Sequence, residues 1–144
     1  MTKEILVRYV HDSMTRFEMT DIGDWCDLRA SETVKLEKGE FGLIPLGVAM
    51  KLPDGYEAHV APRSSTFKNF GVIQTNGIGI IDNSYQGNDD LWFMPVFALR
   101  DTEICENDRV CQFRIVKKQP KLGFVEVNKL DGKNRGGHGS TGVQ

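Results

Sequence analysis

Residues 41–61 read FGLIPLGVAMKLPDGYEAHVA. Two apolar runs, Phe41 to Leu52 and Tyr56 to Ala61, flank the triplet Pro53-Asp54-Gly55. Proline presets φ, aspartate bonds its own backbone and glycine accepts a positive φ, so the triplet predicts a reversal between two strands. The pattern continues outward in both directions. Ile5 to Val10 and Val34 to Leu36 read as strands before it, and Leu91 to Leu99, Val110 to Val116 and Phe124 to Val127 after it. Turn signals separate them roughly every ten residues: Lys38-Gly39, Asn83 to Asp90, Glu106-Asn107-Asp108 and, after the last strand, Asp131-Gly132. Pro45 and Pro95 fall inside apolar runs and predict edge or bulged strands there. One short helix is predicted at Ser64 to Asn69, with Ser64 or Ser65 as its cap. The expected architecture is all-β, an antiparallel sandwich or barrel in one domain.

Composition agrees. The chain has 144 residues, 40% hydrophobic and 26% charged, enough apolar material for one core and outside the range of disordered chains. Glycine supplies 15 residues, above the usual share, and five of them lie between Gly132 and Gly142. The net charge of -2 gives no electrostatic footprint for duplex nucleic acid. The N-terminus, MTKEILVRYVHD, is interrupted by Glu4, Arg8 and Asp12, so neither a signal peptide nor a membrane span is expected. Cys26, Cys105 and Cys111 show no metal-ligand spacing and read as reduced thiols of a cytoplasmic protein.

Three segments carry chemistry. Ala61-Pro62-Arg63-Ser64-Ser65-Thr66 sets a guanidinium beside hydroxyls at a helix start, which suits a phosphate; a merely capped helix is the alternative. Thr75-Asn76-Gly77-Ile78-Gly79-Ile80-Ile81-Asp82 predicts a β-hairpin at Asn76-Gly77. Asp82 ends that apolar strand at a turn, where a carboxylate can be aimed at a water or simply start an Asx-turn. Asn134 to Gly142 is a glycine-rich end with an arginine and two hydroxyls but no Walker lysine. It is either a loose terminus or a backbone that folds down over phosphates.

Taken in order, these segments resemble the trimeric dUTP pyrophosphatases (dUTPases), whose five motifs all have counterparts between residues 24 and 142. They are Asp24-Trp25-Cys26-Asp27-Leu28-Arg29-Ala30, Pro62-Arg63-Ser64-Ser65, Gly79 to Gly87, Asp108-Arg109-Val110-Cys111-Gln112-Phe113, and Arg135 to Gly142. The run Gly71 to Asn76 and the Trp92-Phe93 strand look especially like the Bacillus and Bacillus-phage branch. The resemblance implies a distorted jelly-roll or β-barrel subunit of the β-clip type. It implies a β domain over residues 1–130 and a flexible arm over 131–144 that closes on the phosphates. The implied reaction is Mg2+-dependent hydrolysis of dUTP to dUMP and pyrophosphate, which limits uracil in DNA and supplies dUMP for dTMP synthesis. The implied assembly is a homotrimer with shared active sites, in a bacterial cytoplasm.

By the same resemblance Asp82 activates the water that attacks the α-phosphorus, and Tyr85 packs under the deoxyribose and excludes a 2′-hydroxyl. Asn76 lies beside the uracil edge, and Asp27 holds Mg2+ through water. Arg63, Ser64, Ser65 and Gln112 meet the phosphates, and Arg135, Ser140 and Thr141 clamp the terminal one. His138 stands where most of the family has the phenylalanine that stacks on uracil; Phe93 is the favoured substitute lid. Two other functions are set against this one. A dCTP deaminase on the same fold needs a glutamate in the strand Leu91 to Leu99, which has no carboxylate. A regulatory or binding protein on this fold would not need the intact Asp82, Tyr85 and Arg135.

Overall fold

The computed structural model describes residues 3–18 and 25–136. Among them eleven strands and one short helix form four antiparallel sheets. In chain order the strands are β1 (Leu6–Tyr9), β2 (Cys26–Arg29), β3 (Val34–Leu36), β4 (Phe41–Pro45), β5 (Val48–Lys51) and β6 (Tyr56–Pro62). Helix α1 (Thr66–Phe70) follows, then β7 (Val72–Gln74), β8 (Gly79–Asp82), β9 (Phe93–Ala98), β10 (Thr102–Ile104) and β11 (Arg109–Lys117). The sheet orders are β1-β5, β10-β3, β2-β11-β6-β8 and β4-β9-β7. Non-consecutive neighbours predominate, as expected of a distorted jelly roll.

The core lies between the two larger sheets. Leu28, Ile44, Leu46, Val48, Met50, Trp92, Met94, Val96, Val110 and Phe113 are buried there. The Trp92 ring meets Phe113 edge-on at 5.5 Å between centroids, and Phe17 packs on the same phenylalanine at 5.1 Å.

The run Phe41 to Leu52 is two strands rather than one. Gly47, at φ 68°, turns the chain between β4 and β5 and sends them to different sheets. A Cβ there would stand 2.5 Å from that of Ser31, so only glycine fits the crossing. Pro95 also departs from expectation, because its strand β9 is central, between β4 and β7. Its carbonyl accepts the Thr75 N–H at 3.0 Å, one residue past the end of β7. The missing proline donor therefore faces the end of that ladder, where little pairing is lost. Pro45 ends the edge strand β4, as an edge proline should.

Two further expectations are corrected. Strands β7 and β8 flank the Asn76-Gly77 turn but pair with β9 and β6 respectively, so the turn joins two sheets and no hairpin ladder forms. Gly77 keeps the turn's positive φ of 69°. Phe124 to Val127 forms no strand within the single chain. After β11 the described residues run to 136 without regular structure, and Phe124, Val125 and Leu130 stand in the open.

Candidate active site

The sequence-derived site residues fall into two groups, set by opposite ends of β6. At the Pro62 end, β11 lies between β2 and β6 in register, so Asp27, Gln112 and Ala61 form one cross-strand row. Directly opposed residues share a face, and all three side chains are half-buried on the outer one. Gln112 Nε2 donates to the Pro62 carbonyl at 3.1 Å. Arg63 Nε donates to Asp27 Oδ1 at 3.0 Å, and Arg109 reaches Asp27 Oδ2 at 3.6 Å. The pattern thus gathers Asp27, Arg63, Ser64, Ser65 and Gln112, and adds Arg109, which the motif contained but which had no assigned role.

The segment after β6 is anchored by Thr66, not by its serines. Thr66 is buried; its Oγ1 accepts the Arg63 N–H at 2.8 Å and donates to the Val110 carbonyl at 2.9 Å. Ser65 occupies the N-cap position of α1 but makes no side-chain capping bond. No described residue hydrogen-bonds the hydroxyl of Ser64 or Ser65. Neither serine caps the helix through its side chain, so both hydroxyls are open to an incoming anion. At the far end of α1, Gly71 adopts φ 64° and its N–H bonds the Phe67 carbonyl, closing the helix after five residues.

The second group sits on β8 and its turns. Asp82 is the last residue of β8, opposite Glu57 near the start of β6. Its Oδ1 accepts the Ser84 N–H at 3.1 Å and its carbonyl accepts the Tyr85 N–H at 3.0 Å, an Asx-turn over a β-turn. The Asx-turn is therefore present, and it fixes the carboxylate while leaving it open to solvent. Lys118 Nζ also reaches Asp82 Oδ1, at 2.9 Å. That ammonium hydrogen bond first, and the Ser84 N–H second, hold the Asp82 carboxyl below the usual carboxylate range, so it is ionised at neutral pH. Sequence reasoning missed Lys118, because nothing local to Lys117-Lys118 indicates a partner 36 residues away.

Tyr85 is held by a hydrogen bond from its hydroxyl to the Leu91 carbonyl at 2.7 Å, and its ring is partly exposed. Asn76 is exposed at the turn before β8. The buried Gln74 braces that turn by donating to the Val60 carbonyl at 3.0 Å and the Gly77 carbonyl at 3.4 Å.

The two groups do not meet within one chain. Glu57, opposite Asp82, is five residue steps along β6 from Pro62, which precedes Arg63. At strand rise that is about 17 Å. Phe93 begins β9 and is exposed on the outer face of the β4-β9-β7 sheet, whereas Trp92 beside it is buried in the core. Arg135 is exposed in the irregular segment after β11. His138, Ser140 and Thr141 lie outside the described residues.

No disulfide joins the three cysteines, and burial pushes the thiols of Cys26 and Cys111 up, away from the thiolate a metal would need. No cluster of three His, Cys, Asp or Glu side chains that could cage a metal occurs among the described residues. A magnesium ion that keeps its waters and takes phosphate oxygens needs only one or two carboxylates; the carboxylate of this cluster is Asp27, half-buried and ion-paired with Arg63 and Arg109. No helix among the described residues is long and apolar enough to cross a membrane.

Comparison with known proteins bears on this geometry. A family model described as dUTPase matches residues 25–142. The chain is 58% identical over 141 residues to the SPbeta prophage-derived deoxyuridine 5′-triphosphate nucleotidohydrolase YosS of Bacillus subtilis, covering 98% of this chain and 99% of that one. It is 38% identical over 122 residues to the deoxyuridine 5′-triphosphate nucleotidohydrolase of Finegoldia magna, covering 81% and 82%. Among solved structures, a variant dUTPase of Staphylococcus bacteriophage 80alpha with dUpNHpp superposes with a TM-score of 0.78 at 21% identity, covering 99% of this chain and 100% of that one. A mutant dUTPase from phage phi11 of S. aureus, described with a structural Mg(II) ion, gives a TM-score of 0.74 at 21% identity over 88% and 99%. The two structures share the fold with this chain.

Proposed function

The chain belongs to the dUTPase family, and from that premise we propose that its hydrolysis of dUTP to dUMP and pyrophosphate runs on a site assembled from two or more copies of the chain. The observation that supports this reading is the separation along β6, about 17 Å of strand between Pro62 and the Glu57 position opposite Asp82. One copy supplies Asp82, Asn76 and Tyr85; another supplies Asp27, Arg63, Ser64, Ser65 and Gln112. A homotrimer is the assembly the family resemblance implies. The apolar side chains of Phe124, Val125 and Leu130, and the outer β4-β9-β7 face with Phe41, Leu43 and Phe93, are surface that such an assembly would cover.

In this mechanism Asp82 accepts a hydrogen bond from a water and aims it at the α-phosphorus, in line with the departing pyrophosphate. Its ionised state at neutral pH lets it do so without further tuning. The hydroxyls of Ser64 and Ser65, the Arg63 guanidinium and the Gln112 amide hold the phosphate chain and meet the charge that develops on it. Magnesium, when bound, neutralises phosphate charge, and Asp27 would hold it through its water shell. Tyr85, fixed by Leu91, stands under the sugar where a 2′-hydroxyl would collide. The backbone of the Asn76-Gly77 turn, braced by Gln74, pairs with the uracil edge; cytosine's donor order would leave buried groups unpaired. Phe93 covers the base, and the arm over 131–144 closes with Arg135, Ser140 and Thr141 on the terminal phosphate. The work is done in the bacterial cytoplasm. Pyrophosphate release from dUTP tests the reading: Asp82→Asn should lose at least roughly a hundredfold in turnover, and full activity in that variant would refute the mechanism.

A further inference from the structure

Lys118 is the first residue beyond β11, and no role in the reaction has been assigned to it so far. Its N–H donates to the Gly55 carbonyl at 2.9 Å, which continues the β11–β6 row past the end of both strands. Val116, Glu57 and Asp82 are direct partners across β11, β6 and β8, so their side chains share one face. Lys118, two residues beyond Val116, points to that same face. Because β6 begins at Tyr56, no strand residue stands between Lys118 and the end of β8. The ammonium crosses this gap and lies 2.9 Å from Asp82 Oδ1 and 2.6 Å from Asn83 Oδ1.

We propose that Lys118 is a positioning residue for Asp82: it grips one carboxylate oxygen and leaves the other to meet the attacking water. The proposal rests on reading Asp82 as the carboxylate that activates that water. Oδ1 is held from two directions, by Lys118 Nζ and by the Ser84 N–H at 3.1 Å, which fixes the plane of the carboxylate. Both of these bonds go to Oδ1, and the Asn83 N–H adds to the hold on the carboxylate. The Asn83 amide oxygen completes the grip on the ammonium, so Lys118 cannot swing away without losing two partners.

The charged surroundings support this assignment. From β6, the element packed against β8, Glu57 is the titratable group facing Asp82, and His59 lies 2.6 Å from the Glu57 carboxylate. Tyr56 points to the opposite face. Lys118, from the end of β11, is the cation that acts on the Asp82 carboxyl, and it favours the ionised form. Removing that charge raises the pH at which Asp82 takes up a proton, so activity should fail earlier as pH is lowered.

The test compares the parent, Lys118→Gln, Lys118→Arg and Asp82→Asn as full chains, with kcat and KM for dUTP measured from about pH 3 to 9. Lys118→Gln should lower kcat roughly 3- to 30-fold with KM little changed, and move the acid limb to higher pH. Lys118→Arg should restore most of kcat and the parental limb. A Lys118→Gln profile that superimposes on the parent, a higher kcat, or a loss that arginine does not rescue would each overturn the proposal. Full activity in Asp82→Asn would instead overturn the reading on which it rests.

Discussion

Thr66→Val tests how the fold holds the phosphate-binding segment. The substitution keeps the shape of the side chain and removes its hydroxyl. Thr66 is 1% exposed, and that hydroxyl serves the Arg63 N–H at 2.8 Å and the Val110 carbonyl at 2.9 Å. Val110 lies where the β11–β2 register shifts, between Arg109 and Cys111, and has no partner residue in either ladder of β11. Its carbonyl therefore depends on Thr66. Each orphaned buried polar group costs about 1–3 kcal/mol. Two of them, one close to the surface, should cost about 2–4 kcal/mol together, a large part of an ordinary domain's stability. Thr66→Ser keeps the hydroxyl and loses one methyl, about 1 kcal/mol. Urea unfolding at a fixed protein concentration should place valine well below serine, and the KM for dUTP should rise in the valine variant alone. Equal midpoints for the two variants would refute the claim that these hydrogen bonds anchor Arg63, Ser64 and Ser65.

Gly71→Ala forces a side chain into φ 64°, with its Cβ 2.5 Å from Arg100 Cγ; calorimetry should show a loss of about 1–2 kcal/mol or more. Phe93→Ala should raise the KM for dUTP more than His138→Ala does, and the reverse order would move the uracil lid to His138. Chelation of Mg2+ should abolish turnover, and Asp27→Asn should raise the Mg2+ concentration needed for half-maximal rate; an unchanged requirement would remove Asp27 from the metal site.

The strands legible in the sequence are those bounded by turn residues. Val34 to Leu36 is bounded as read, and Ile5 to Val10, Tyr56 to Ala61 and Val110 to Val116 differ by a residue or two at their ends. The Phe41 to Leu52 run misleads because a continuous apolar stretch records burial, not direction, and the turn at Gly47 is set by contact with Ser31 in the connection between β2 and β3. Strands β2 and β10 carry too few apolar residues to stand out, and their pairing with β11 and β3 supplies what local sequence lacks. Phe124 to Val127 has a strand's composition but no strand partner among the described residues. The site shows the same division. Arg63, Asp82 and Tyr85 lie in compact motifs and can be read locally. Lys118 and Thr66 act through partners 36 and 44 residues away, which no short window reveals.

The proposed pairing of one copy's Asp82 with another copy's Arg63 cluster can be tested by complementation. Asp82→Asn and Arg63→Ala chains, each inactive alone, can be co-expressed with different affinity tags and the mixed oligomer purified through both. In a closed ring of three, an oligomer carrying both tags has about one site in three with both residues intact. Pyrophosphate release from dUTP should return to roughly that fraction of the parent. A mixed oligomer as inactive as either variant alone would contradict it.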